Sequence, residues 1–241
     1  QKDASIAFCS NIQGDCIVVN QCDTNSMSEQ VYTNESNIPY RVKFISTTER
    51  GLSRSRNMAI KNATGDICII MDDDETLDND YIETVTKAYT DYPEADIIVF
   101  KVRNSEKKYS EISKNLGRLG VLRVASYEIT FKRQTIIDKQ LSFDVEMGSG
   151  TGHGGGEENA FLYSCLKKGL TIRYVPQYIS SLDPNSGSQW FKGFTPRFFL
   201  NRGWATARYM GKPLAMLYAL YYTVRKHKMY SADCSFTKAL I

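Results

Sequence analysis

The sequence lacks a long apolar run. The longest candidate, Leu214 to Val224, covers 11 of its 241 residues, whereas a helix that spans a bilayer needs about 20. It also lacks a secretory signal at its amino terminus. A hydrophobic content of 42% with 24% charged residues excludes a disordered chain. We therefore expect a soluble globular protein.

Paired cysteine motifs are absent as well. The six cysteines form no Cys-x-x-Cys pair and no metal-ligand spacing, and several stand inside apolar runs. This pattern is typical of reduced cysteines in the core of a cytoplasmic protein.

Acidic residues are missing from one whole interval, between Asp183 and Asp233. The interval carries eight basic residues, although the net charge of the chain is only +3: Lys192, Arg197, Arg202, Arg208, Lys212, Arg225, Lys226 and Lys228. It also holds both tryptophans, Trp190 and Trp204. Basic residues interleaved with aromatic ones suit an anionic membrane interface, and a basic helical face that caps the domain is an equally good interpretation. Nucleic acid is not expected as a partner, because no recognition motif accompanies the charge.

Short apolar runs alternate with helical patterns over most of the chain. The predicted strands are Cys16–Asn20, Arg41–Ser46, Ile67–Met71, Ala95–Val102, Glu128–Lys132 and Thr171–Val175. The predicted helices are Ser53–Asn62, Asn79–Asp91 and Glu157–Lys168. This alternation predicts an α/β fold, a mostly parallel sheet with helices on both faces. The turn-rich stretch DPNSGS divides the chain into a domain at 1–183 and a basic, aromatic, helical extension at 184–241.

An acidic cluster follows one of the predicted strands. Asp72, Asp73, Asp74 and Glu75 come directly after the run Ile67–Met71, at a strand end where ligands bind in open α/β sheets. Carboxylates at alternate positions can converge on Mg²⁺ or Mn²⁺ that bridges to a diphosphate. For an isolated run of three aspartates, a solvated acidic loop would be the better interpretation.

Two further segments favour the ligand site. Upstream, ERGLSRSRNMAI places Arg54 and Arg56 on a short helix, and arginines beside a metal site suit a diphosphate. Downstream, the glycine-rich stretch from Gly148 to Gly156 leads into a helix that opens with Glu157 and Glu158. A carboxylate at a helix amino terminus is expected to stay ionised, as a general base requires.

Together these segments resemble family 2 glycosyltransferases of the GT-A fold, from about Cys16 to Pro176. RGLSRSRNMAI resembles the family's Gly-Leu-Ser-x-x-Arg-Asn segment, and IIMDDDE resembles its Asp-x-Asp metal motif. GGGEENAFLYSCLKKGLTIRYVP resembles the family's Gly-Glu-Asp segment with the helix, strand and proline that follow. The three occur in the family's order.

The resemblance implies an inverting, metal-dependent transfer of a sugar from a nucleotide diphosphate sugar, with UDP-hexose or UDP-N-acetylhexosamine as the default donor. Glu158 would be the catalytic base and Glu157 would hold an acceptor hydroxyl, unless the two exchange roles. Asp72 and Asp74 would bind Mn²⁺ or Mg²⁺. The residues implied in nucleotide-sugar binding are Asn20, Asp23, Arg54, Arg56, Asn57, Asp72 and Asp73.

Three departures from the family stand out. Asn20 and Gln21 replace the acids that usually follow the second strand, with Asp23 three positions after Asn20. A downstream histidine that often assists the metal has no counterpart, since the two histidines are His153 and His227. The family's central first strand would lie upstream of residue 1, and is absent here or has decayed. A non-catalytic nucleotide-binding or scaffold protein on the same fold is therefore the alternative hypothesis.

The resemblance also implies where the protein acts and on which acceptor. We expect the basic extension to rest on the cytoplasmic face of a bacterial membrane, where the acceptor would be a glycan or a lipid-linked glycan of a surface polysaccharide. Nothing in the sequence sets the oligomeric state.

Overall fold

The structure, a computed structural model, describes residues 4–34, 37–184 and 193–240. Its helices are α1 (Ile6–Cys9), α2 (Leu52–Asn62), α3 (Tyr81–Asp91), α4 (Arg133–Asp138), α5 (Glu157–Lys167), α6 (Pro196–Met210), α7 (Lys212–Tyr230) and α8 (Phe236–Ala239). Its strands are β1 (Cys16–Gln21), β2 (Ser26–Thr33), β3 (Pro39–Thr47), β4 (Ile67–Ile69), β5 (Glu75–Leu77), β6 (Ile97–Arg103), β7 (Lys114–Asn115), β8 (Ile129–Lys132) and β9 (Ile172–Leu182). Two short 3₁₀ turns cover Val121–Arg123 and Ser126–Glu128.

The strands form two sheets. The smaller sheet has the order β1-β3-β2, and the larger has the order β4-β8-β6-β9-β5, with β7 pairing beside β9. Of the pairings among the described residues, only β1–β3 and β6–β9 are parallel. The prediction of a mostly parallel sheet is therefore wrong. β8 enters between β4 and β6 in the opposite direction to both, and a strand's direction is not encoded in its own apolar pattern.

Helices on both faces of the larger sheet are confirmed by the core. Along β6, Ile97 and Val99 join the cluster under α5 and α6, which includes Phe161. The alternate residues Ile98 and Phe100 join the cluster under α3. Because successive side chains of a strand point to opposite faces, one continuous apolar run supplies both cores.

The predicted C-terminal helices are present. α6 packs through Ala205 and Tyr209 on the cluster that contains Phe161, and a separate cluster that includes Phe199 and Tyr230 joins α6, α7 and α8. Among the residues that the structure describes, no helix is long and apolar enough to cross a bilayer. The division at 183/184 stays a prediction, because the link at 185–192, with Trp190 and Lys192, lies outside the described residues.

Candidate functional site

The acidic cluster forms the turn between β4 and β5. Asp73 is exposed, while Asp72 and Asp74 are partly buried. Glu75 is buried at the start of β5, where it accepts a hydrogen bond from Ser180 Oγ. Burial raises the pKa of Glu75 to about 8. Only part of the cluster is therefore a solvated loop.

Arg56 ties the acidic turn to the start of α5. It is only 7% exposed, and it donates from Nη1 to Glu157 Oε1 at 2.8 Å and from Nη2 to Asp72 Oδ1 at 3.1 Å. Its guanidinium also lies 5.4 Å from the centre of the Phe143 ring. Arg56 thus faces two carboxylates instead of open solvent, and this geometry positions both acids.

The two glutamates at the start of α5 occupy different surroundings. Glu157 is fully buried and paired with Arg56, whereas Glu158 reaches a cavity. Within the described residues, Oε2 of each glutamate is buried and has no hydrogen-bond partner. Burial, with the nearby Glu157, raises the pKa of Glu158 to about 8. Desolvation thus opposes the helix terminus, which we expected to keep a carboxylate at this position ionised.

The glycine-rich stretch before α5 is held against the start of α2. Leu52 N donates to Ser149 O at 3.0 Å, and Ser53 Oγ donates to Met147 O at 2.7 Å. Gly150 has φ +87°, and a Cβ there would come within 3.2 Å of the Gly51 backbone. Only glycine allows this approach without strain.

The other end of the same loop rests on α6. The rings of His153 and Trp204 stack with 3.8 Å between their centroids and 5° between their planes. Arg208 lies 5.2 Å from the Trp204 ring and forms an ion pair with Asp144. The loop therefore joins α2 to the C-terminal helices.

The remaining predicted site residues are spread over this region. The side-chain amide of Asn57 makes two hydrogen bonds of 2.8 Å with the backbone of Phe143, and so it holds the chain around Phe143 against α2. Arg54 is exposed beside the glycine loop. Asp23 lies on the surface in an ion pair with Arg50. Asn20 lies near the end of β1, in register with Ser46 of β3.

The segment Ser126–Glu128, which the sequence did not indicate as part of the site, lies beside the acidic turn. Ser126 Oγ donates to Asp72 Oδ2 at 3.2 Å, and buried Glu128 accepts from Tyr109 and Lys107, both at 2.6 Å. Burial and the charges of surrounding acids raise the pKa of Tyr127. The only signal in the sequence was an acid directly before the apolar run ITFK.

The carboxylates of Asp72 and Asp74 fit a hard divalent cation that is also bound by phosphate oxygens of a nucleotide. The Asp74 carboxylate makes no hydrogen bond or ion pair within the described residues, and Asp72 presents oxygens that can accept further contacts. In the part of the chain that the structure describes, no three His, Cys, Asp or Glu side chains form a metal-binding group. Two carboxylates suffice for Mg²⁺ or Mn²⁺ when phosphate oxygens and water complete the shell.

A cavity of about 560 Å³ opens beside Glu158. It lies between the glycine loop and α6. Its polar lining includes Asn159, Asn201, Arg202 and Thr206. Glu158 is itself one of the lining residues, so the cavity adjoins the start of α5.

The model of the family described as Glycosyl transferase family 2 matches residues 13–155, more than half of the chain. The chain belongs to glycosyl transferase family 2. The matched stretch contains the acidic turn, Arg56 and the glycine loop except Gly156, and it ends two residues before Glu157.

One curated relative is the glycosyltransferase GlyA of Streptococcus pneumoniae serotype 4 (strain ATCC BAA-334 / TIGR4). It is 32% identical over 83 residues, which are 34% of this family 2 chain and 12% of GlyA. The chain therefore spans only a small part of that relative.

Solved structures show the same α/β, GT-A-like fold with mixed sheets. S. aureus TarS 1-349 in complex with UDP-GlcNAc has a TM-score of 0.60 at 12% identity, over 92% of this chain and 66% of that one. The mannosyltransferase PcManGT from Pyrobaculum calidifontis, in complex with GDP-Man and Mn²⁺, has a TM-score of 0.54 at 12% identity, over 99% and 69% of the two chains. At this identity the likeness concerns the fold alone.

Proposed function

We propose that this chain transfers a sugar from a nucleotide diphosphate sugar to a hydroxyl of a glycan acceptor, with inversion at the anomeric carbon. The observation that carries the proposal is the Arg56 bridge, which fixes the acidic turn against the start of α5 while Glu158 faces the neighbouring cavity. Membership of family 2 supports the reaction class. The complexes of TarS with UDP-GlcNAc and of PcManGT with GDP-Man support UDP or GDP sugars as the first donors to test.

Each group at the site has a proposed task. Asp72 and Asp74 would hold Mn²⁺ or Mg²⁺, which would stabilise the negative charge of the departing diphosphate. Exposed Arg54 would contact the diphosphate, and Asn20, Asp23 and Asp73 would line the nucleotide side. Buried Arg56 and partly buried Asn57 would act by positioning, since their polar groups contact protein atoms.

The acceptor would enter the cavity between the glycine loop and α6. Glu158 would take the proton of the attacking hydroxyl, and its raised pKa makes it a stronger base than an exposed glutamate. Glu157 would position the acceptor indirectly, because it is fully buried and held by Arg56.

The C-terminal helices carry a second part of the proposal, attachment to an anionic membrane surface near a lipid-linked acceptor. On α7 the apolar side chains of Met216, Leu217, Leu220 and Val224 are half exposed or more. Basic residues flank this face at Lys212 and from Arg225 to Lys228. Apolar side chains among cations are the composition that binds acidic lipid headgroups.

Donor turnover tests the proposed reaction. Calorimetry with UDP and with GDP, each with and without Mn²⁺, would first identify the nucleotide. Incubation with a panel of nucleotide sugars should then release the nucleoside diphosphate, slowly to water and faster with a glycan acceptor. Glu158→Gln is the matched control, which should bind the donor without rapid release. Nucleotide binding without turnover of any sugar in the panel would instead identify a non-catalytic nucleotide-binding protein.

A further inference from the structure

The cavity between the glycine loop and α6 carries more positive than negative charge. Among the described residues, its charged lining side chains are Glu158, Arg197 and Arg202. Two arginines against one glutamate leave a net charge of +1, even when Glu158 is ionised. Amide and hydroxyl side chains, such as those of Asn159 and Asn201, are enough to bind neutral sugar hydroxyls. The excess of positive charge therefore favours a ligand that carries negative charge.

Arg202 has no carboxylate partner within the described residues, since none of their ion pairs includes it. Its one described hydrogen bond runs from Nη2 to the hydroxyl of Tyr218 at 3.0 Å. Its Nε is buried and has no hydrogen-bond partner. A guanidinium has five N–H donors, so most of those on Arg202 are left for a ligand. Arg56, in contrast, is hydrogen-bonded to two carboxylates.

Aromatic rings surround the guanidinium of Arg202. It lies 4.3 Å from the centre of the Tyr222 ring, 5.9 Å from that of Tyr218 and 6.0 Å from that of Phe198. The rings hold the cation in place through cation–π contacts. They also keep water from that side, and a low local dielectric strengthens the attraction to an opposite charge. Arg202 is therefore a positioned cation with donors to spare.

Arg197 adds a second cation to the same cavity. It lies in the first turn of α6, is exposed, and makes no described hydrogen bond or ion pair. Both arginines belong to α6, whereas Glu158 opens α5. The cations and the candidate base thus line one cavity from two helices. Its volume of about 560 Å³ is in the range of about 300–1,000 Å³ that is usual for small-molecule sites.

We propose that this cavity binds an anionic acceptor. A phosphate or carboxylate group of the acceptor binds to Arg202, with Arg197 contributing further positive charge, while a hydroxyl of the same molecule lies at Glu158. Arginine binds both kinds of anion through paired N–H donors, and a glycan carries them as phosphoryl substituents or uronic acids. The role in sugar transfer rests on the proposed function, and in that role Arg202 determines acceptor specificity.

Calorimetry in EDTA tests the cavity separately from turnover. The probes are glucose 6-phosphate and glucuronate, with glucose as the neutral control, and EDTA prevents binding through a metal at Asp72 and Asp74. We expect the charged probes to bind roughly 10–100-fold more tightly than glucose, the usual contribution of hydrogen bonds to a charged group. Their affinity should fall as salt is raised. The tighter of the two identifies the anionic group, and equal affinity of all three sugars would overturn the proposal.

Substitutions locate the bound anion. Arg202→Gln should weaken binding of the charged probes to the level of glucose and leave glucose binding unchanged. Arg202→Lys keeps the charge and should retain part of the affinity. Arg197→Gln removes an exposed charge and should weaken the charged probes by about two- to fivefold, as expected of an exposed ion pair. Arg41→Gln is the matched control, since Arg41 is exposed on β3 in the smaller sheet.

The contrary outcomes differ from one another. A folded Arg202→Gln variant that binds the charged probes normally would overturn the proposal. So would one that instead loses affinity for UDP or GDP with Mn²⁺, because Arg202 would then serve the donor. If Arg202→Gln does not fold, Arg197→Gln decides, and unchanged affinity for the charged probes in that variant would overturn the proposal. Failure of the proposed reaction is seen separately, as no release of nucleoside diphosphate from any donor.

Discussion

Arg56 and Glu157, 101 positions apart in the sequence, form a buried ion pair with 2.8 Å between Nη1 and Oε1. The same guanidinium holds Asp72. The acidic turn after β4 and the first turn of α5 are thus fixed to one another through a single side chain. The geometry of the candidate site consequently depends on a buried residue that does not line the cavity beside Glu158.

Arg56→Met should destabilise the protein. It leaves Glu157 buried without its partner, and breaking a buried ion pair costs about 3–5 kcal/mol. Urea denaturation measures the change in the free energy of unfolding. Arg54→Met is the matched control, since Arg54 is exposed on the same helix and should cost less than about 0.5 kcal/mol. Similar losses for the two variants would contradict the positioning role of Arg56.

Glu158→Gln should reduce sugar transfer by roughly 10²–10⁴-fold, the usual contribution of a general base. Donor affinity should stay within a few-fold, because Glu158 lies on the cavity side of α5. Single-turnover kinetics and calorimetry separate the two effects. A larger loss of transfer in Glu157→Gln, with folding intact, would assign the base to Glu157.

The pH dependence of kcat/KM tests independently whether Glu158 is the general base. Burial and then the nearby Glu157 raise its pKa to about 8, so the protonated, inactive form predominates at pH 7. Because a general base must be unprotonated, kcat/KM should rise with pH and level off above about 8. The Glu158→Gln variant should lose this rise. A rate that is flat between pH 6 and 9 in the unaltered protein would contradict the assignment.

Asp74→Ala should abolish the effect of Mn²⁺ on nucleotide binding. The melting temperature should hardly change, since the Asp74 side chain is not hydrogen-bonded within the described residues. Calorimetry with UDP or GDP, with and without Mn²⁺, makes the comparison. Asp66→Ala is the control, because it removes an exposed acid at the other end of β4. Equal metal dependence in both variants would exclude Asp74 as a ligand.

Trp204→Ala should loosen the glycine loop. The variant removes the ring on which His153 stacks, so amides from Gly148 to Gly156 should exchange hydrogen faster. Transfer should fall as well, because the loop positions the start of α5. Trp204→Phe keeps an aromatic face and should preserve most of both properties. If amide hydrogen exchange is unchanged in Trp204→Ala, the hydrogen bonds to α2 are sufficient to hold the loop without the ring stack.

Membrane attachment should depend on the basic residues of α7. Each cation near an anionic surface contributes about 1 kcal/mol, so reversing Arg225, Lys226 and Lys228 to Glu should weaken binding at least 10²-fold. Co-sedimentation with phosphatidylserine-containing and neutral vesicles measures it. The control reverses Lys87, Lys114 and Lys139, which are exposed on other elements. Equal binding to both kinds of vesicle, or no binding to either, would contradict membrane attachment. The basic face would then only pack against the rest of the protein.

Local pattern in the sequence predicts the elements well. The predicted helix Ser53–Asn62 corresponds to α2 and the predicted strand Ala95–Val102 to β6, each within one or two residues. Apolar periodicity is a property of neighbouring residues, and so it survives in the folded chain. The polar strand β2, with the sequence SMSEQVYT, was missed because it is exposed along most of its length.

The direction of the strands and the contacts that bring the site residues together could not be predicted in the same way. The antiparallel entry of β8 depends on contacts between strands far apart in sequence. The Asp-x-Asp and Glu-Glu pairs were recognisable as motifs, but the link from Asp72 to Ser126 crosses 54 positions without a motif at either end. The burial of Arg56 between Asp72 and Glu157 likewise follows only from tertiary packing.

The close approach of Gly150 to the Gly51 backbone has a consequence for engineering. A loop grafted in from another glycosyltransferase has to keep glycine at position 150, because any other residue there would strain a backbone with φ +87° and bring a Cβ within 3.2 Å of Gly51.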